Sequence, residues 1–352
     1  MAMDDLSSPA RRRLVQAAAG AVLAGGAVAA GGYQFFKLSR DLIRVRRERT
    51  LMQTSVSVNV LTDDTESAHR AIEAAFAAMA AAAATLSRFD PASPVFALNR
   101  TGRLDSPPAM VREVVARSQA IAARSDGDFD ITVAPVLDYF YQQPRPLALS
   151  PALRTKVAAR EQLVDYRQVQ LDDAGIRLLR PSMAITLDGI AKGYVVDQGI
   201  AALRRAGIEY ALVDAGGEVH AICGADAQRS WNVGIVDPQH PDKVAAVVRL
   251  RNGGLSTSGN YEVFFTADHQ LFHIIDPHTG YSPNRYSSVT VMGPSSIDTD
   301  AASVAAFSMT LPRLAAFASS LGQQWLTFSW DGKTRWRSRD LPLVTGEARV
   351  FS

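Results

Sequence analysis

A single cysteine, Cys223, stands among 352 residues. One thiol excludes an intrachain disulfide framework and a thiolate metal cage. Between Ile222 and Gly224 it reads as a small packing residue. The common fingerprints are missing too. No GxGxxG marks a dinucleotide fold, no Gly-Lys-Ser/Thr follows TLDGIAKG to make a Walker loop there, and Ser258-Gly259 does not complete a GxSxG. Charge of one sign is also lacking: 37 basic against 35 acidic residues leave a formal net charge of +2. That balance gives no reason to expect a nucleic-acid partner. There is no internal repeat, and no Pro/Ser-rich linker after residue 50.

What basic excess exists is gathered early. Arg11 to Arg13 precede an Ala/Gly-rich apolar run, and Lys37, Arg40, Arg44, Arg46, Arg47 and Arg49 follow it. Basic residues before a weakly hydrophobic run have the layout of an export signal, and consecutive arginines resemble the twin-arginine type. Ala27-Val28-Ala29 offers a small-residue cleavage site. The competing reading is an uncleaved anchor, since Leu14–Phe36 reaches the roughly 20 residues that cross a bilayer. Residues 1–36 are therefore expected to direct export to the periplasm, by cleavage or by retention in the membrane. Residues 37–50 read as a basic linker, and 51–345 as the folded domain.

Within that domain, Gln53–Leu61 alternates as a strand and Ser67–Leu86 is an Ala-rich helix. Pro108 opens a second helix and Ser150-Pro151 a third. From Tyr166 the texture turns to short strands: YRQVQLDD, GIRLLRP, MAITL, then YALVD and VHAIC after a helix over 190–205. Further strands are expected at 231–236, 244–250, 262–265, 270–275 and 286–293, a helix from Asp298, and two closing strands near 325–338. Irregular alternation with hairpin-like neighbours predicts a mixed α+β protein, largely antiparallel, forming one unit with two lobes.

Five motifs carry chemistry, each with a plain structural alternative. In TLDGIAKGYVVD, Thr186 to Asp197, a strand end turns into a helix whose first turn holds Lys192. Backbone amides and a lysine make an anion site, although Gly-x-x-x-Gly also serves simple packing. VDAGGEVHAICG has paired glycines marking a bulge or a close backbone approach, with Glu218 read as a solvated strand carboxylate by default and as a catalytic group in the alternative. STSGNYEVFF reads as a turn heading a strand. HIIDPHTG, His273 to Gly280, reads as a strand end closed by an Asp-Pro turn. In SIDTDAASVAAFS, Asp298 and Asp300 either complement a helix dipole or serve as hard-metal ligands.

The succession of these five motifs resembles the flavin transferase family typified by bacterial FAD:protein FMN transferase. Met52-Gln53-Thr54, LSRFDPAS, LNRTG and DFDITVAPVLDYF fit the same pattern, so the resemblance runs from about residue 50 to about 340. It implies Mg²⁺-dependent transfer of FMN from FAD to a Ser or Thr hydroxyl of an exported or membrane-bound redox protein, with AMP released. The Gly189 carbonyl and Asp300 would hold the metal, with Asp188 supplying a further carboxylate. Lys192 would face the phosphates. Met52, Phe89, Asp128, Phe129, Asp130 and Thr186 would line the flavin or adenine site, and Ile275 would touch the ligand. His273 would accept the hydroxyl proton, its ordinary pKa lying near neutrality, with Asp276 orienting it or its loop.

Two departures stand out. Val304 occupies a position where the family usually has a metal-binding Thr, leaving Ser303, Asp298 or water to supply that oxygen. Thr186-Leu187-Asp188 replaces the Asp-Leu-Gly of many relatives. The alternatives carried beside transfer are a flavin-binding accessory protein of a respiratory system and an FAD pyrophosphatase.

Overall fold

Valines at every second position of Thr54–Thr62 build the centre of the molecule: Val56, Val58 and Val60 are fully buried on one face of the strand. Ser57 and Asn59 between them are buried too, so both faces of this strand are covered. The computed structural model describes residues 28–30, 33–37, 42–226 and 228–351. In it this strand lies within an 11-stranded sheet ordered Val28–Ala30, Tyr33–Lys37, Ile43–Leu51, Thr54–Thr62, Tyr210–Asp214, Glu218–Cys223, Gly253–Gly259, Tyr286–Gly293, Gln324–Ser329, Arg335–Arg337 and Arg349–Val350. Every adjacent pair is antiparallel except the last. Two three-stranded sheets complete the fold, one from Trp231–Asp237, His240–Leu250 and Leu343–Thr345, the other from Arg103–Asp105, Gly175–Leu178 and Val169–Asp172. The class is mixed α+β and largely antiparallel, as the sequence predicts.

Three helices position the site: Thr65–Leu86, Ala191–Arg205 and Ser296–Ala306. Asp64 caps the first by accepting from the Glu66 and Ser67 amides, both at 3.0 Å. Its alanines permit close approach, and a Cβ on Gly199 would stand 2.8 Å from Met79 Sδ. The second and third helices come closer still. A Cβ on Gly193 would lie 2.1 Å from the Ser296 carbonyl oxygen, a contact no side chain tolerates. One large apolar core joins these helices to the sheet, and a satellite cluster of Val136, Leu137, Phe140, Phe265, Leu271 and Ile275 lies to one side.

The structure corrects several expectations. Residues 43–50, read as a basic linker, belong to the strand Ile43–Leu51. The arginines find partners across and above the sheet: Arg44 donates to Asn59 Oδ1 at 2.6 Å, and Arg47 and Arg49 both reach Glu73. MAITL is not a strand. The Asn99 side chain satisfies both the Ile185 amide and carbonyl, and the Thr186 amide donates to Ile131 O. Residues 262–265 and 270–275 make only one isolated bridge, Phe264 to Phe272. Conversely, STSG, read as a turn, lies in the strand Gly253–Gly259, where Ser256 and Ser258 bond Thr299 and Ser303 of the helix above.

Of the segment read as export signal or anchor, residues 1–27 and 31–32 lie outside the described residues, as do 38–41 of the linker. Val28–Ala30 and Tyr33–Lys37 form strands at one edge of the large sheet. Among the described residues no helix is long and apolar enough to cross a membrane.

Candidate active site

The helix Ala191–Arg205 begins at the end of TLDG, and its first turn is capped by a neighbour. The Gly193 N–H is one of the first-turn donors with no partner inside the helix, and it donates to Asp300 Oδ2 at 2.8 Å. The Gly189 carbonyl oxygen, which precedes the helix, and the second Asp300 oxygen stand as acceptors at the meeting point of two helices. Asp300 is buried, and burial followed by repulsion from Glu218 pushes its carboxyl up to about 8. Glu218 is buried as well, with Oε2 2.9 Å from Lys192 Nζ, and burial raises its pKa despite the lysine. Reading Glu218 as a solvated carboxylate is therefore overturned.

Two buried carboxylates beside one lysine lack a positive charge, and the protonation of Asp300 near neutrality is the symptom. A hard cation with oxygen ligands fits that deficit. Mg²⁺ binds through one or two carboxylates together with substrate phosphates and waters, and the free Asp300 oxygen and the Gly189 carbonyl are the oxygens that could hold such an ion here. Among the described residues no cluster of three or more His, Cys, Asp or Glu is set up to hold a metal. The substitutes suggested by the sequence fare unequally. Asp188 is not delivered to this point: its Oδ2 pairs with Arg88 Nε at 3.0 Å, and Arg88 also binds Asp138. Asp298 takes the Ser295 hydroxyl at 2.7 Å and faces Arg117. Ser303 donates to the Asp300 carbonyl at 2.8 Å and bonds Ser258. Val304 packs its γ-carbons 3.2 and 3.6 Å from where a Cβ on Gly189 would be. It closes this side of the site with hydrocarbon.

The remaining predicted residues divide by role. Met52 and Gln53 form the two-residue turn joining Ile43–Leu51 to Thr54–Thr62, both at positive φ, 49° and 58°. The turn sits by the paired glycines, since a Cβ on Gly216 would meet Thr54 Oγ1 at 2.5 Å. Non-glycine residues held at positive φ store strain that surrounding structure must enforce. Phe89 is 64% exposed with the Arg88 guanidinium 4.2 Å from its ring centroid, a flat surface open to a stacking partner. Thr186 is buried and accepts from the Asp188 amide, and Phe129 is buried against Gly189.

Asp130 is committed to the backbone: its oxygens accept from the Thr132 amide and hydroxyl and from the Tyr166 amide. Asp128 holds His278 and Arg313. Ile275 packs in the satellite cluster rather than lining the site. Asp276 builds its turn, accepting from the His278 amide at 2.9 Å on its side chain and from Gly280 on its carbonyl. Of the two roles read for it, loop geometry is the one its bonds support. His273 is half-buried, its amide donating to Val263 O at 3.1 Å. The adjacent Phe272 packs edge-on against Phe307, one turn beyond Val304.

Sequence reasoning missed Arg88 and His278, which acquire meaning only from partners 50 or more residues distant. Of the two readings of Glu218, burial beside Lys192 removes the solvated one.

Residues 52–326 match the ApbE family. The FAD:protein FMN transferase of Haemophilus influenzae is 28% identical over 258 residues, covering 70% of this chain and 74% of that protein. That of Treponema pallidum is 38% identical over 183 residues, covering 47% of this chain and 48% of its own length. The chain thus spans about half the length of the second relative. Among solved structures, the ApbE protein of Thermotoga maritima superposes with a TM-score of 0.76 at 26% identity, covering 84% of this chain and 97% of that one. The flavin transferase ApbE of Vibrio cholerae shares the fold, with a TM-score of 0.71 at 20% identity, covering 85% of this chain and 98% of that one.

Proposed function

The chain belongs to the ApbE family, and on that footing we propose that it transfers FMN from FAD to a Ser or Thr hydroxyl of a redox protein, releasing AMP. The observation that carries this reading is the bond from the Gly193 N–H to Asp300, which brings that carboxylate to the start of the helix bearing Lys192, next to the Gly189 carbonyl. The Gly189 carbonyl and Asp300 are the ligands assigned to Mg²⁺, which when bound neutralises charge on the phosphate oxygens. Lys192 faces the pyrophosphate and Phe89 offers a stacking surface. The acceptor hydroxyl oxygen bonds to the FMN-side phosphorus as the bridging P–O bond breaks, and that electron pair leaves with AMP. His273 takes the hydroxyl proton. Positioning and charge stabilisation account for most of such a reaction.

The basic, Ala/Gly-rich N-terminus supports export to the periplasm, where a membrane-bound redox subunit with a Ser/Thr-containing acceptor segment would be the partner. The test is incubation with FAD, Mg²⁺ and an acceptor domain bearing a Ser-Gly-Ala-Thr segment. Expected are AMP and acceptor-bound flavin in equal amounts, both abolished in His273→Ala while FAD binding survives. AMP alone would make the protein a pyrophosphatase, and tight FAD with neither product a carrier. Undiminished transfer by His273→Ala would remove that residue from the mechanism.

A further inference from the structure

Residues 272–282 close into a loop with a bonded base and a bonded tip. At the base, the Ser282 hydroxyl accepts from the Phe272 amide at 2.7 Å and donates to the Phe272 carbonyl at 2.8 Å. Higher up, the Asp276 amide donates to Tyr281 O at 2.8 Å, and Asp276 accepts from the Thr279 and Gly280 amides. A loop cross-bonded at this density tilts as one body, so what holds its tip sets the orientation of its start. His273 is at the start. His278 is at the tip.

The tip is fastened to a different element. His278 Nε2 lies 3.1 Å from Asp128 Oδ1, and since an ionised carboxylate only accepts, Nε2 carries the hydrogen. The Asp128 side chain is 2% exposed, while that of His278 is 53% exposed. The other Asp128 oxygen is 2.8 Å from Arg313 Nη2. That guanidinium also donates to Ser125 O at 3.2 Å and lies 3.7 Å from Asp126. Asp276 completes the charged surroundings of the pair, and a Cβ on Gly127 would touch His278 Cε1 at 3.4 Å. The segment gripped here continues into Phe129, which packs against Gly189. One hydrogen bond thus joins the loop bearing His273 to the loop backing the Gly189 carbonyl.

We propose that His278 is a positioning residue for FMN transfer, its bond to Asp128 fixing the tilt of the loop that presents His273. Asp128 meets His278 through Oδ1 and the Arg313 guanidinium through Oδ2, so its carboxylate acts through this strap. The inference rests on the transferase reading. Misplacement of a reacting group by about 1 Å is enough to cost on the order of a hundredfold in rate.

The experiment compares wild type, His278→Ala, His278→Gln, Asp128→Asn and the double variant His278→Ala/Asp128→Asn in full-length protein. It uses FAD, Mg²⁺ and an acceptor domain bearing a Ser-Gly-Ala-Thr segment, with thermal unfolding run in parallel. Expected for His278→Ala is a kcat lowered about tenfold to hundredfold with the KM for FAD within about threefold. His278→Gln, which keeps a side-chain N–H donor, should recover much of kcat. The double variant should be no worse than the poorer single one. Wild-type transfer with an unchanged kcat in His278→Ala overturns the strap alone, as does a raised KM for FAD at unchanged kcat. Absence of transfer in the wild type overturns the transferase reading and the strap together. If His278→Ala unfolds, Asp128→Asn decides by the same kcat criterion.

Discussion

The Gly193 amide and the Asp300 carboxylate, 2.8 Å apart, tie the starts of two helices together and cap the first of them beside the Gly189 carbonyl. The contact exists because Gly193 has no side chain. Ser296 O and Asp300 Cβ already stand 2.1 and 2.8 Å from where one would be. The chemistry proposed for the site depends on this approach, which makes it the first place to perturb.

Gly193→Ala should force the helices Ala191–Arg205 and Ser296–Ala306 apart. A backbone oxygen cannot rotate away, so the cost belongs to the upper end of overpacking, about 3 kcal/mol or more. Urea unfolding should show the loss, and a stability within about 0.5 kcal/mol of wild type would mean the helices have slack.

Asp300→Asn separates stability from function. Asp300 has its pKa pushed up to about 8 from an ordinary 3.8, so the metal-free folded state binds a proton more tightly than the unfolded chain. Stability from this group is complete below about 4 and is lost as pH rises through about 8. Asn carries no charge to bury and its oxygen still accepts from Gly193. Thermal melts in EDTA should therefore show the variant gaining on wild type between pH 5 and pH 8, roughly the interval between the two pKa values, while transfer is lost. A constant difference across that interval would contradict the assignment.

Lys192→Met leaves Glu218 buried without its ion-pair partner. Removing one partner of a buried pair costs about 3–5 kcal/mol; Lys192 is 37% exposed, so solvent screening reduces this to about 2 kcal/mol. Because burial already raises the Glu218 pKa, the loss should grow with pH. Lys192→Met/Glu218→Gln should recover most of it in chemical denaturation. A double variant no more stable than the single one would place the damage elsewhere.

Val304→Thr is isosteric and adds an oxygen beside Gly189, where the γ-carbons of valine now form a wall. The expected effect is a lower Mg²⁺ requirement, with half-maximal transfer at about threefold to tenfold less metal, as one more hard oxygen ligand implies. Titration of initial rate against Mg²⁺ checks it. An unchanged midpoint would show that water already serves this position.

Reading in one dimension went wrong where partners were remote. The run IRVRRERTL looked like a linker because its charges hide the alternation, and only Glu73 and Asn59 make those arginines compatible with a sheet. MAITL has strand composition, yet Asn99 took its backbone bonds. Asp188 was placed beside the metal from its neighbours in sequence, while Arg88, 100 residues away, holds it elsewhere.

The sequence by itself determined the mixed α+β class, most strands and helices, and the succession of motifs that marks the family. Those features follow from local periodicity, capping residues and turn chemistry, all readable over a few positions. Tertiary structure alone decided which carboxylates are buried, which are already paired, and which carbonyl is left open. These depend on distance and desolvation between segments far apart in the chain. Glu218 and Asp298 are alike on paper; full burial beside Lys192 and partial burial beside the exposed Arg117 make one part of the candidate site and the other a helix-end contact.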